Sequence, residues 1–128
     1  MPRASFTTLQ RAQFVKQAQG QPFSSSYLGT ATASAAAATC NSRAGLITSE
    51  ALTTAGLAAY TLTVTCDHAG VDSIIFASLQ QGTNTQGTLG IATITPAAGS
   101  FVVIVRNLHA SQALNGSIKI AFSIENPS

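Results

Sequence analysis

Alternation of apolar and polar side chains dominates the second half of this chain. In Tyr60–Cys66, Tyr60, Leu62, Val64 and Cys66 take one phase and Thr61, Thr63 and Thr65 the other. Ile118–Glu125 repeats the pattern, with Ile118, Ile120, Phe122 and Ile124 set against Lys119, Ser123 and Glu125. A period of two is that of a strand with one face on a core and one in solvent. Ser73–Leu79 and Phe101–Val105 are more continuously apolar, which predicts strands buried on both faces. Ile91–Thr95 and Phe101–Arg106 flank Thr95-Pro-Ala-Ala-Gly-Ser100, where Pro96 cannot donate to a ladder and Gly99 accepts positive φ, so a hairpin is expected there.

Other turn signals divide the rest. Asn115-Gly116 opens the last strand. Asp67-His-Ala-Gly70 and Gln81–Gly87 end the middle strands. Leu46–Thr53 alternates imperfectly and is expected to pair with Tyr60–Cys66 across Thr54–Leu57. A further strand is expected near Thr30–Thr39. The sum is an all-β chain of about seven antiparallel strands with turns every eight to twelve residues, a β-sandwich or jelly-roll-like body.

The leading segment breaks this regularity. From Met1 to Arg43 the chain holds Arg3, Arg11, Lys16 and Arg43 and no acid, and Phe6, Phe14, Phe23 and Tyr27 are half of its aromatic residues. Ser5 is a possible helix cap, yet Phe6, Leu9, Phe14, Val15 and Ala18 form no single helical stripe. Two domains are therefore expected: an extended arm over residues 1–29 and a β-sandwich body over residues 30–128. Aromatic side chains on a segment unable to bury them point to a partner-binding arm, carried by Phe6, Leu9, Arg11, Phe14, Lys16, Phe23 and Tyr27. Burying four aromatics contributes roughly 6–12 kcal/mol. Ordering some twenty-five residues costs roughly 25–50 kcal/mol. The arm thus needs backbone pairing or tethering through an oligomeric body as well.

Charge narrows the partners. Only 8% of residues are charged and the net charge is +2. That surface suits a protein held in an assembly better than a free monomer, and the basic excess is too small for direct nucleic-acid binding. No apolar run approaches the roughly 20 residues of a membrane span, and no secretory signal is visible, so no membrane association and synthesis in the cytoplasm are expected. In that compartment Cys40 and Cys66, expected at neighbouring strand ends, are read as buried free thiols ahead of a disulfide.

Catalytic chemistry finds little support. Cys66-Asp67-His68 has the residue types of a thiol triad, but neighbours in a strand or tight turn point apart, and triads are assembled from distant residues. His68, His109, Cys40 and Cys66 lack close metal-ligand spacing. The Gly- and Thr-rich Gln81–Leu89 has no Lys beside its glycines. Asn115-Gly-Ser117 fits a glycosylation sequon but reads better as a turn. No enzyme activity, cofactor or metal is expected.

Four stretches carry a resemblance: Leu46–Thr54, Tyr60–Val64, Thr95–Asn107 and His109–Ser117, the last two forming an RN-x-HAS-x-ALNG run. From about Gly45 onward the chain resembles a small β-domain recurring among tailed-bacteriophage virion proteins. What the resemblance implies is a structural protein of the capsid cement or decoration kind, on the outside of the shell and bound to the major capsid protein, with a tail, neck or fibre component as the alternative. A homo-oligomer is expected, a trimer favoured for threefold capsid positions. A carbohydrate-binding module ranks lower, because the chain has no Trp and Tyr60 is expected to face inward. In the RN-x-HAS-x-ALNG run, Arg106 and Asn107 should close a strand, His109 should fix a loop, and Leu114 should tuck beneath the Asn115-Gly116 turn.

Overall fold

The computed structural model describes residues 28–127. These form eight strands: β1 (Leu28–Thr32), β2 (Ala37–Thr39), β3 (Ala44–Thr48), β4 (Ala59–Thr65), β5 (Ile74–Gln81), β6 (Leu89–Ala97), β7 (Ser100–Asn107) and β8 (Ile118–Glu125). They make two four-stranded sheets, β1-β3-β8-β5 and β2-β4-β7-β6. The fold is all-β, and among the described residues there is no helix.

Both sheets are mixed, which corrects the antiparallel expectation. β1 runs parallel to β3, and β2 parallel to β4. The cause is the path of the chain, which passes from the first sheet to the second and back, then repeats the circuit alongside itself. A parallel neighbour needs a crossover, and here each crossover contains a strand of the opposite sheet. The expected strand over Thr30–Thr39 is therefore two strands. Ser34 and Ala37 exchange backbone hydrogen bonds of 2.9 and 3.1 Å around Ala35 and Ala36, whose φ values are 51° and 62°. That tight turn moves the chain from one sheet to the other.

The expected pairing of Leu46–Thr53 with Tyr60–Cys66 is also corrected. β3 pairs with β8, and β4 with β7. The intervening loop changes sheets instead of folding back within one. The β6–β7 hairpin forms as expected, with Thr95 opposite Val102 and Pro96 opposite Phe101.

Inward phases interleave to form the core. Leu62, Val64, Phe101, Val103 and Val105 from the second sheet meet Ile47, Ile118, Ile120, Phe122 and Ile124 from the first, all buried. Tyr60 is buried too, as its phase predicts. The Phe101 and Phe122 rings lie tilted at 58° with centroids 5.1 Å apart, a favourable aromatic geometry that ties the sheets together. Room for Phe122 comes from Gly45, where a Cβ would stand 2.7 Å from its ring and 2.8 Å from the Cys40 sulfur.

Two strands are less buried than their apolar runs predict. On β5, Ile75, Ala77 and Leu79 pack against the core, whereas Ile74 and Phe76 are 54% and 58% exposed. Among the described residues β5 is an edge strand with an open outer face. On β7, Phe101, Val103 and Val105 are buried, while Val102 and Ile104 are half-buried between the threonines of β4 and β6. Apolar outward residues, not double burial, make both runs look continuous.

Candidate functional site

One end of the sandwich gathers three loops: residues 49–58, 82–88 and 108–117. The RN-x-HAS-x-ALNG run supplies the third. Asn107, fully buried at the end of β7, joins all of them. Its Oδ1 accepts from the Thr88 and His109 N–H groups, each at 3.1 Å. Its Nδ2 donates to the carbonyls of Gln112 at 2.7 Å and Thr54 at 3.2 Å. Buried Asn84 does the same between the second and third loops: its Oδ1 accepts from Asn115 N–H at 2.7 Å, and its Nδ2 donates to Gln81 Oε1 and the Gln86 carbonyl, each at 2.8 Å. An amide suits this work because it donates and accepts at once.

His109 fixes its own loop, as expected. Its Nδ1 accepts from the Ser111 and Gln112 N–H groups at 3.1 and 2.9 Å. Leu114 is buried. Gly56 is needed where two loops touch, since a Cβ there would come within 2.7 Å of the His109 carbonyl oxygen. Beside it, Leu57 holds a φ of 65° and is half exposed. The Asn115 amide, read in sequence as a sequon or a turn, is engaged with Thr85 through both its oxygen and its nitrogen. These polar atoms hold loops together and present no aligned nucleophile and base.

A second polar group sits on the other side of the β3–β4 loop. Glu50 accepts from the Tyr60 hydroxyl at 2.7 Å and from the Ala36 N–H at 2.8 Å. Burial alone pushes this carboxyl upward, and it is the largest single influence. The hydrogen bonds from Tyr60, from the residue's own backbone and from Ala36 together outweigh it, and the pKa lies below its ordinary value. Tyr60 moves the opposite way, raised by burial, by its bond to Glu50 and by that residue's charge. Glu50 thus pins the left-handed Ala35-Ala36 turn to β4.

The residues of Cys66-Asp67-His68 diverge. Cys66 is fully buried and donates to the Ser42 carbonyl at 3.3 Å, while Asp67 and His68 face solvent 3.7 Å apart. Cys40 and Cys66 follow the paired strands β2 and β4, in the next register position, and both thiols are free and buried. Burial raises the Cys40 pKa, and the neighbouring Cys66 adds to it. Among the described residues, no three of His, Cys, Asp and Glu converge.

The outward faces of the two sheets are the broadest features. Lys119, Glu125 and Arg106 are the charged side chains that the strands turn outward; the rest are mostly Thr, Ser, Ala and aliphatic. On the first sheet Ile74 and Phe76 stand up beside a shallow depression of about 310 Å³, lined by Phe76, Ala77, Ser78, Ala121, Phe122 and Ser123. Sequence reading missed this patch because an apolar run on an edge strand has the same composition as one in the core. The expected arm residues Phe6, Leu9, Arg11, Phe14, Lys16, Phe23 and Tyr27 lie outside the described residues. Comparison with family models, curated proteins and solved structures finds no match to this chain.

Proposed function

We propose that the protein is a structural component of a phage particle, a cement or decoration protein seated on the outside of the capsid shell. The observation that carries this reading is the outer surface of the sandwich, weakly charged and with Ile74 and Phe76 more than half exposed on one face. Such a surface gains from being covered, and a protein that works by covering joins between subunits has a use for it. The resemblance of the RN-x-HAS-x-ALNG run to phage virion domains supplies the kind of assembly, and the hydrogen bonds of Asn107 and His109 explain that run as a rigid loop platform. The major capsid protein is the partner in this reading. The basic, aromatic leading segment extends the hold across neighbouring coat subunits, and its work is mechanical, opposing the pressure of packaged DNA.

The test is decoration of particles that lack the protein. Purified full-length chain is added to such capsids, and pelleting and electron microscopy follow its position. Regular density on the outer shell, lost when residues 1–23 are deleted although the deleted chain keeps its circular dichroism spectrum, is the expected result. Density confined to the neck, tail or fibres overturns the capsid assignment.

A further inference from the structure

Among the described residues the sandwich has four sheet edges, and three of them are blunted. β2 is three residues long. β6 carries Pro96 and a bulge between Ile91 and Thr93. β1 is five residues long and includes Gly29. β5 differs: its eight residues, Ile74-Ile-Phe-Ala-Ser-Leu-Gln-Gln81, contain no charge, no Pro and no bulge, and among the described residues they pair with β8 alone. An edge of that length left without protection is a template for another strand. We infer that β5 is the seam of a homodimer, in which it pairs antiparallel with β5 of a second copy around a twofold axis at Ala77.

Charge placement is consistent with an antiparallel copy, and side-chain fit along the seam points to one. Lys119 lies beside Gln80 at one end of the strand, and Glu125 lies beside Ile74 at the other. Both charged residues are on the outward phase of β8. A parallel partner would bring like ends together. An antiparallel copy centred on Ala77 sets Ile74 opposite Gln80 of the second copy, so one row across the joined sheet reads Lys119, Gln80, Ile74, Glu125. Opposite charges then share a row at each end. The same register puts Phe76 opposite Ser78 on the outer face, where the ring covers a small side chain. On the inner face it puts Ile75 opposite Leu79, continuing the two cores across the seam. A copy of this strand meets all of these conditions at once. The resulting eight-stranded sheet presents two depressions on one surface, and a twofold seam closes at two copies.

Sedimentation equilibrium on the full-length chain tests this directly. The dimer mass is expected. Phe76→Lys and Ser78→Lys, both at exposed outward positions, should each weaken association by about tenfold or more while leaving circular dichroism unchanged, since a Lys on an edge blocks pairing without burdening the monomer. Hydrogen exchange should show the β5 amides that point away from β8 protected in the dimer and released in the Ser78→Lys variant. A monomer at every concentration, a trimer, or a dimer that ignores both substitutions overturns the inference. So does protection, in a monomeric sample, of the β5 amides that point away from β8, which would mean that another segment of the same chain covers the edge.

Discussion

At the scale of single residues, the polar side chains that matter most are uncharged amides. Asn107 is buried, and its two polar atoms together reach backbone groups of all three loops. Asn107→Ala would leave those groups without partners and should cost roughly 2–5 kcal/mol. Asn107→Asp is the sharper substitution. It keeps the shape and one acceptor but turns a second oxygen toward the Gln112 and Thr54 carbonyls, so it should be at least as damaging near neutral pH. Urea unfolding midpoints for the two variants check the order, and an Asp variant as stable as the parent would refute the assignment. Glu50 supplies a pH dependence. Its folded pKa lies below the ordinary carboxyl value of 4.5, so its contribution is fully present above that pH and is lost as pH falls through the folded value. Tyr60, with a raised pKa, contributes below its ordinary value of 10 and loses that contribution as pH rises through its folded one. Subtracting the acid-limb stability curve of Glu50→Gln from that of the parent should isolate a component that disappears below about pH 4.5. Parallel curves for the two proteins would show that the carboxylate does not hold the turn.

Among the elements, the Ala35-Ala36 turn is built against its own propensities at two positions in a row. Two consecutive alanines in the left-handed region cost roughly 1–2 kcal/mol each, and the hairpin geometry they adopt is the one that prefers Asn-Gly. Ala35→Asn combined with Ala36→Gly should therefore raise stability by roughly 1 kcal/mol, because the Ala36 N–H bond to Glu50 is a backbone bond and survives. An unchanged or lower melting temperature would show that the Ala36 methyl, packed on the core, outweighs the relief of strain. This turn also shows where sequence reading stops. Strands such as β4 and β8 were legible because strict alternation fixes both the element and its buried face. The hairpin at Pro96-Ala-Ala-Gly99 was legible because Pro and Gly limit the backbone. No such residue marks Ala35-Ala36, so one strand was expected where a corner joins two. The surface patch was hidden for a related reason: Ile74 and Phe76 belong to an apolar run, and only the position of β5 at an edge distinguishes exposed from buried. In the loop platform, Asn107 and His109 drew attention through their motif, whereas Asn84 and Glu50 did not, because their partners lie 31 residues away at Asn115 and 14 away at Ala36.

For the molecule as a whole, topology decides how the chain reaches its fold. β8, the last strand, lies inside the first sheet between β3 and β5. That sheet has no continuous ladder until the C-terminal strand arrives, and β1 and β3 have only each other before then. The second sheet is different, because the β6–β7 hairpin is local and β4 can add to it directly. A nucleus of β4, β6 and β7 is thus the lowest in loop-closure entropy, with the first sheet assembling on its apolar face afterwards. Every other consecutive pair of strands lies in opposite sheets, so most stabilising pairings join distant parts of the sequence. Chains dominated by such pairings refold in roughly milliseconds to seconds. Stopped-flow refolding followed by far-ultraviolet circular dichroism should fall in that range. Val103→Ala, in the hairpin, should slow folding in proportion to its loss of stability. Ile120→Ala, at the centre of β8, should chiefly speed unfolding. The reverse assignment of the two effects would place nucleation in the first sheet and require β8 to dock before the hairpin has formed.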